Sequence, residues 1–291
     1  MAEETGTVGR PRAVETVVVG RPVTEGAGVR LLRVFGEARL QRRLDPFLLL
    51  DEFRSDDPAD YRAGFPAHPH RGFETVTYLL AGALRHRDSS GGGGRLGPGD
   101  VQWMTAGRGI VHEEMPDQGE GLLHGFQLWV NLPAAHKMAA PRYRHVPAAA
   151  IPQLAPAPGA TVRLVAGRLA GAEGPVVDVV TGPVYADLAL APGAVLALPL
   201  DEALNGFLYV YEGTAEVGPA PAARRVGPRA LAVLARAGDG LRVAAGPAGA
   251  RLLLAAARPI GEPIVQWGPF VMNTREEIEQ ALADYRAGRL G

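Results

Sequence analysis

The 291-residue chain contains no cysteine. Disulfides, thiolate nucleophiles and cysteine-based zinc sites are therefore excluded, and any metal must rest on histidine, aspartate or glutamate. A net excess of charge of either sign is also missing. The formal net charge of −1 gives no general attraction to nucleic acid or to an anionic membrane surface. The opening MAEETGTVGRPR has no apolar core of the kind a secretory signal needs. The apolar stretch from Val184 to Leu200 is interrupted by Asp187, Pro192, Gly193 and Pro199, so it does not read as a membrane span. Together these absences predict a soluble, cytoplasmic protein with no direct nucleic-acid or membrane partner. Histidine is scarce too, and all seven lie before Val146.

Glycine and proline are abundant, at 38 and 25 residues. They suit short strands joined by turns rather than a helical bundle. The runs VETVVV from Val14, VRLLRVF, PFLLLDEF and ETVTYLL are β-branched, aromatic or alternating, as strands should be. Residues 1–13 are expected to fray, and 14–145 to form a first β-domain. The segment 146–160 holds four prolines and reads as a linker. Residues 161–272 then form a second β-domain. In 273–288, Thr274 stands three before Glu277, a capping box that opens a short amphipathic helix.

The second half looks like a faded copy of the first. Tyr78-Leu-Leu-Ala-Gly82 matches Tyr209-Val-Tyr-Glu-Gly213, and each is followed by a Gly-Pro turn at nearly equal distance. The pattern predicts a duplicated strand–turn–strand unit. Under the 131-residue offset between those tyrosines, His68 falls on Pro199, His70 on Asp201 and Glu74 on Asn205. A histidine-based site in the first half would have no counterpart in the second.

Such a site is suggested by FPAHPHRGFETVTYLLAG. Residues i and i+2 of a strand face the same side, so His68 and His70 point together, and Glu74 shares their parity if the segment stays extended. In Val111-His-Glu-Glu-Met115, His112 and Glu114 share one face and Glu113 takes the other. Two such pairs closing on one point give three imidazoles and a carboxylate, a donor set for a first-row divalent metal. Glu74 competes with Glu114 for the carboxylate place. Its other role would be to hydrogen-bond a ligand imidazole.

FPAHPHRGFETVTYLLAG, GDVQWMTAGRGIVHEEMP, GFQLWVNLP and GPFVMNTREEI together resemble the pirin family of the cupin superfamily. The similarity runs from about Val14 to Tyr285, and is least typical in the Ala/Pro-rich stretch 214–250. It implies an all-β protein of two tandem cupin, jelly-roll-like barrels with a short C-terminal helix. It also implies a single metal, in the first barrel, held by His68, His70, His112 and Glu114. The metal expected is iron(II), with nickel, cobalt, manganese, copper and zinc as alternatives.

Two classes of function follow from the resemblance. One is a quercetin 2,3-dioxygenase-type oxidoreductase, which takes a phenolic substrate and dioxygen, with Glu114 as catalytic base. Phe65, Met104 and Phe126 would then lie along the cavity. The other is a redox-sensitive co-regulator acting through a protein partner. His124 can line the cavity or serve structure, and structure is the reading preferred. Arg71 can bind an anion at the pocket mouth or a structural carboxylate, and again structure is preferred. His86, between two arginines, reads as solvated, His136 and His145 as surface residues, and Trp103 and Trp129 as core.

Overall fold

A computed structural model describes residues 8–290. Strands dominate, and two α-helices, Ala38–Arg43 and Arg275–Arg286, complete the described elements with a few 3-10 turns. The chain divides into two compact units. One gathers residues 21–42, 46–148 and 260–291; the other gathers residues up to 20, 43–45 and 149–259.

In the first unit a seven-stranded antiparallel sheet runs in the order Arg142–Val146, Val101–Thr105, Phe73–Ala81, Leu123–Asn131, Phe47–Ser55, Val29–Phe35, Arg21–Glu25. A four-stranded sheet has the order Phe65–His70, Ile110–Pro116, Leu84–Asp88, Gly93–Leu96. These are the sheets of a jelly-roll cupin fold.

The main path of the second unit repeats the seven-strand order: Val14–Val19, Ala230–Leu234, Asn205–Val217, Gly240–Ala257, Val184–Leu190, Ala160–Ala166, Gln153–Ala157. Here the long strands Asn205–Val217 and Gly240–Ala257 each do the work of two shorter ones. Val195–Pro199 pairs with the latter and Arg224–Val226 with the former. The duplication read in the tyrosine–glycine motifs is thus present as topology.

The chain differs from expectation at four places. Val14–Val19 pairs with Ala230–Leu234 and contributes Val14 to the second unit's apolar core. Residues 8–13 are not frayed: Arg12 is fully buried and donates to the carbonyls of Asp201, Leu204 and Gly238. Residues 1–7 lie outside the described residues. The 146–160 stretch is no mere linker, because Gln153–Ala157 pairs with Ala160–Ala166. Its Pro156 falls at a register shift on an edge strand, where a missing N–H costs nothing.

Residues 260–272, expected in the second domain, belong to the first unit. The strand Phe270–Met272 and the C-terminal helix pack together there through Phe270, Met272, Ile278 and Ala281. Thr274 caps that helix. Its hydroxyl accepts from Glu277 N at 3.2 Å, and Glu277 Oε2 accepts from Thr274 N at 3.0 Å.

Candidate metal centre

The HPH strand (Phe65–His70) and the HEE strand (Ile110–Pro116) are antiparallel neighbours, with His112 directly opposite His68 and Ile110 opposite His70. The period-2 alternation brings three imidazoles together. Ring centroids of His68 and His112 lie 4.3 Å apart, those of His68 and His70 4.7 Å, and those of His70 and His112 4.9 Å. Their nitrogens fall within 4.8 Å of one another. His70 and His112 are buried.

The donor chemistry suits a metal. His68 Nδ1 meets the Pro66 carbonyl at 2.8 Å. As a donor there it leaves its other nitrogen as a lone pair, the arrangement typical of a ligating histidine. His70 Nδ1 and His112 Nε2 are buried without a protein hydrogen-bond partner, an arrangement that is costly unless something binds them. Burial, with a further contribution from the neighbouring histidines, holds both His70 and His112 well below the usual imidazole pKa. They are neutral near pH 7, the state a metal requires.

Glu114 lies two residues along the same face, 6% exposed. Its carboxylate groups with His112 and His86 rather than with His68 and His70 together. Thr77 Oγ1 reaches Glu114 Oε1 at 2.8 Å, and the amides of Gln102 and Gln127 approach it at 3.4 and 3.5 Å. Thr77 stands opposite both Gln102 and Gln127, Gln127 opposite Asp51, and Asp51 opposite Arg33. A polar row therefore crosses five adjacent strands. At its far end Arg33 pairs with Asp51 and Glu25, each at 2.8 Å. Burial raises the Asp51 carboxyl above its ordinary range against the opposing pull of Arg33.

His68, His70, Glu114, Thr77 and Gln127 open onto one cavity of about 620 Å³. Its walls are largely apolar, with Leu31, Phe53, Tyr61, Phe65, Leu123 and Trp129 among them, and its size is that of a small-molecule site.

Several expected roles are corrected. Glu74 does not share the face of the histidines. The chain turns at Gly72, which has φ of +91°, so the next strand restarts at Phe73 with Thr77 toward the cavity and Glu74 on the opposite face, bonded by Thr105 Oγ1 at 2.6 Å. Met104 packs with Ala106 and Ile110, and the Phe126 ring lies tilted beside Tyr78, 6.3 Å between centroids; neither lines the cavity. His124 meets Glu52 at 2.8 Å, the structural role. Arg71 is also structural, bonding the Arg108 carbonyl and Asp284. Phe65 does line the cavity, and so does Trp129, expected in the core, whose ring sits edge-on to His70 at 5.3 Å.

His86 is the largest departure: it is 1% exposed and lies beside His112. Exposed Arg85 and Arg87 flank it. That alternation was the available signal, because a strand with arginines on one face turns its histidine to the other.

Comparisons with known proteins bear on the family. The family model described as Pirin matches residues 28–130, and that described as Pirin C-terminal cupin domain matches 185–291. A Pseudomonas aeruginosa protein provisionally named a quercetin 2,3-dioxygenase is 50% identical, over 97% of this chain and 99% of its own. Human pirin is 42% identical, over 98% and 96%. A crystal structure of quercetin 2,3-dioxygenase from Acinetobacter baumannii superposes with a TM-score of 0.90 at 35% identity, covering 97% of this chain and 99% of that one. With both halves matched and the relatives aligned end to end, the chain belongs to the pirin family.

Proposed function

We propose that this protein is a metal-dependent dioxygenase that opens a flavonol or a related phenolic with dioxygen. The observation that carries the reading is the meeting of three imidazoles, two with unpartnered buried nitrogens, beside an apolar cavity that His68 and His70 line. The names of the Pseudomonas and Acinetobacter relatives support the substrate class.

His68, His70, His112 and Glu114 would hold one divalent ion, iron(II) first, with nickel, cobalt, manganese, copper or zinc as alternatives. When bound, the metal supplies Lewis acidity that favours the ionised form of a substrate hydroxyl. Glu114 receives that hydroxyl proton, being the carboxylate on the cavity wall nearest the imidazoles. Thr77 orients the carboxylate through Oε1, and Gln127 flanks Oε2. The aromatic and leucine walls pack a planar ring system and keep water out. The polar row ending at Arg33 and Asp51 faces ring hydroxyls at a distance from the reacting carbon. In the overall reaction one ring carbon leaves as carbon monoxide, and both atoms of dioxygen remain in the opened product.

The test is oxygen uptake and carbon monoxide release by metal-loaded protein with quercetin and several other flavonols, beside His70→Ala. Uptake by the wild type, lost in a folded His70→Ala protein, supports the proposal. A loaded wild type that consumes no oxygen with any flavonol, and whose metal spectrum quercetin leaves unchanged anaerobically, overturns it. The co-regulator role, acting through a protein partner, would then be examined by capture in the reduced and oxidised states.

A further inference from the structure

Beyond the three imidazoles a second, enclosed chain of polar groups runs outward from His112. His86 and Asp88 lie two apart on Leu84–Asp88, and the register sets His112 opposite Asp88 and Glu114 opposite His86. The Asp88 carboxylate is fixed. Its Oδ1 accepts from Ser90 N at 2.9 Å, Ser90 Oγ at 2.6 Å and Gly92 N at 2.9 Å. That leaves Oδ2 for His86 Nε2 at 3.1 Å, with both side chains essentially closed to solvent. Tyr143 stacks on the His86 ring at 4.8 Å and 16°, which fixes the ring plane.

The hydrogen bonds assign the protons. A carboxylate only accepts, so His86 carries its proton on Nε2 and presents Nδ1 as a lone pair. Gln102 Nε2 lies 2.9 Å from that Nδ1, and the same amide is 3.4 Å from Glu114 Oε1. Both are acceptors, so the amide group is placed correctly as donor. His112 Nδ1 lies 3.4 Å from the same His86 Nδ1. Two lone pairs would repel there, so His112 Nδ1 carries a proton and donates. His112 Nε2, the buried nitrogen without a partner, is then the lone pair, on the side of His68 and His70.

We propose that Asp88 and His86 are positioning residues: the chain Asp88–His86–His112 fixes the tautomer of His112 so that Nε2 is its metal-binding atom. This rests on the reading of His112 as a ligand. It also explains why His86, although grouped with His112 and Glu114, is not itself a ligand: its only lone pair is taken by Gln102 and His112.

The test uses the full chain, labelled with nitrogen-15 at histidine, as apoprotein and with zinc alone as the metal probe, since zinc is diamagnetic. In the apoprotein at neutral pH, His112 should show Nδ1–H and His86 Nε2–H; with zinc, His112 should be metallated at Nε2. In Asp88→Asn the amide oxygen keeps the Ser90 and Gly92 bonds while its NH2 faces His86 and reverses that ring's tautomer. Zinc affinity should fall about 10–100-fold, with the circular dichroism unchanged. His86→Phe keeps the stack on Tyr143 but offers no acceptor, and should lose affinity to a similar extent.

Unchanged affinity in both variants overturns the proposal. So does a His112 with its proton on Nε2 in the apoprotein, or metallated at Nδ1 with His86 as co-ligand. A wild type that shows the expected apo tautomers, reversed at His86 in Asp88→Asn, yet binds no zinc overturns the metal reading alone and leaves the positioning chain standing.

Discussion

Adjacent glutamates on the HEE strand give a residue-scale test of facing. Glu114 is buried on the cavity wall, whereas Glu113 is partly exposed and stands opposite Arg87. Glu114→Gln should lower metal retention by at least about 10-fold more than Glu113→Gln, measured by dialysis against a chelator and metal analysis. Equal losses would mean that the two carboxylates do not face opposite ways. Parity made His68, His70, His112 and Glu114 legible, because period 2 survives wherever a strand is unbroken. It misplaced Glu74, since the rule was carried across Gly72, where the chain turns. Thr77, Gln102 and Gln127 went unread because their significance comes from register between strands distant in sequence, which composition does not carry. The resemblance puts Met104 and Phe126 along the cavity, but apolar character does not distinguish a wall from a packed core.

At the scale of elements, the turn after the HPH strand is clamped by the C-terminal segment. Arg71 N donates to the Pro269 carbonyl at 3.4 Å, and Val271 N to the Arg71 carbonyl at 3.0 Å. Lys137 Nζ, buried, reaches the carbonyls of Gly72 and Val271 at 2.8 and 3.0 Å. Gly72 has no room for a side chain: an added Cβ would meet the Val271 carbonyl oxygen at 1.9 Å, at a φ of +91°. Gly72→Ala should therefore cost about 3 kcal/mol or more, seen as a lower thermal midpoint. Because the clamp adjoins His70, metal retention should fall with it. An alanine variant as stable as wild type would show that this close approach is not kept in solution.

A second element-scale prediction concerns the Asp100 turn. Its carboxylate accepts from Gly97 N at 2.8 Å, Ala148 N at 2.7 Å and His145 Nε2 at 3.2 Å. Partial burial pushes its pKa up, but these donors outweigh that and hold it below the usual range. A depressed carboxylate stabilises the fold above its unfolded value of about 3.9 and loses that contribution as pH falls through its folded value. Asp100→Asn should cost about 1–2 kcal/mol at neutral pH and flatten the acid limb of the stability curve. An acid limb as steep as that of wild type would assign the acid sensitivity to other groups.

Across the whole molecule the two halves share a strand order but differ in what their inner faces carry. The row Gln102–Thr77–Gln127–Asp51–Arg33 in the first unit has its topological counterpart in Ala232–Leu208–Leu254–Ala186–Leu164, register-matched strand by strand. Where the HPH and HEE strands pair His68 with His112, the second unit pairs Leu198 with Leu241 and Leu196 with Val243. All of these belong to one apolar core. Filling each buried leucine position contributes about 1.5–3 kcal/mol relative to leaving it exposed. The second unit therefore spends these positions on packing, while the first leaves them polar around a cavity. Among the described residues, every group of three or more metal-capable side chains lies in the first unit. Metal analysis of the purified, loaded protein should accordingly give one ion per chain, and His70→Ala should take that value toward zero rather than halve it. A value near two, or half the metal surviving in His70→Ala, would require a site built without histidine in the second unit, against the leucines and valine that occupy its equivalent strands.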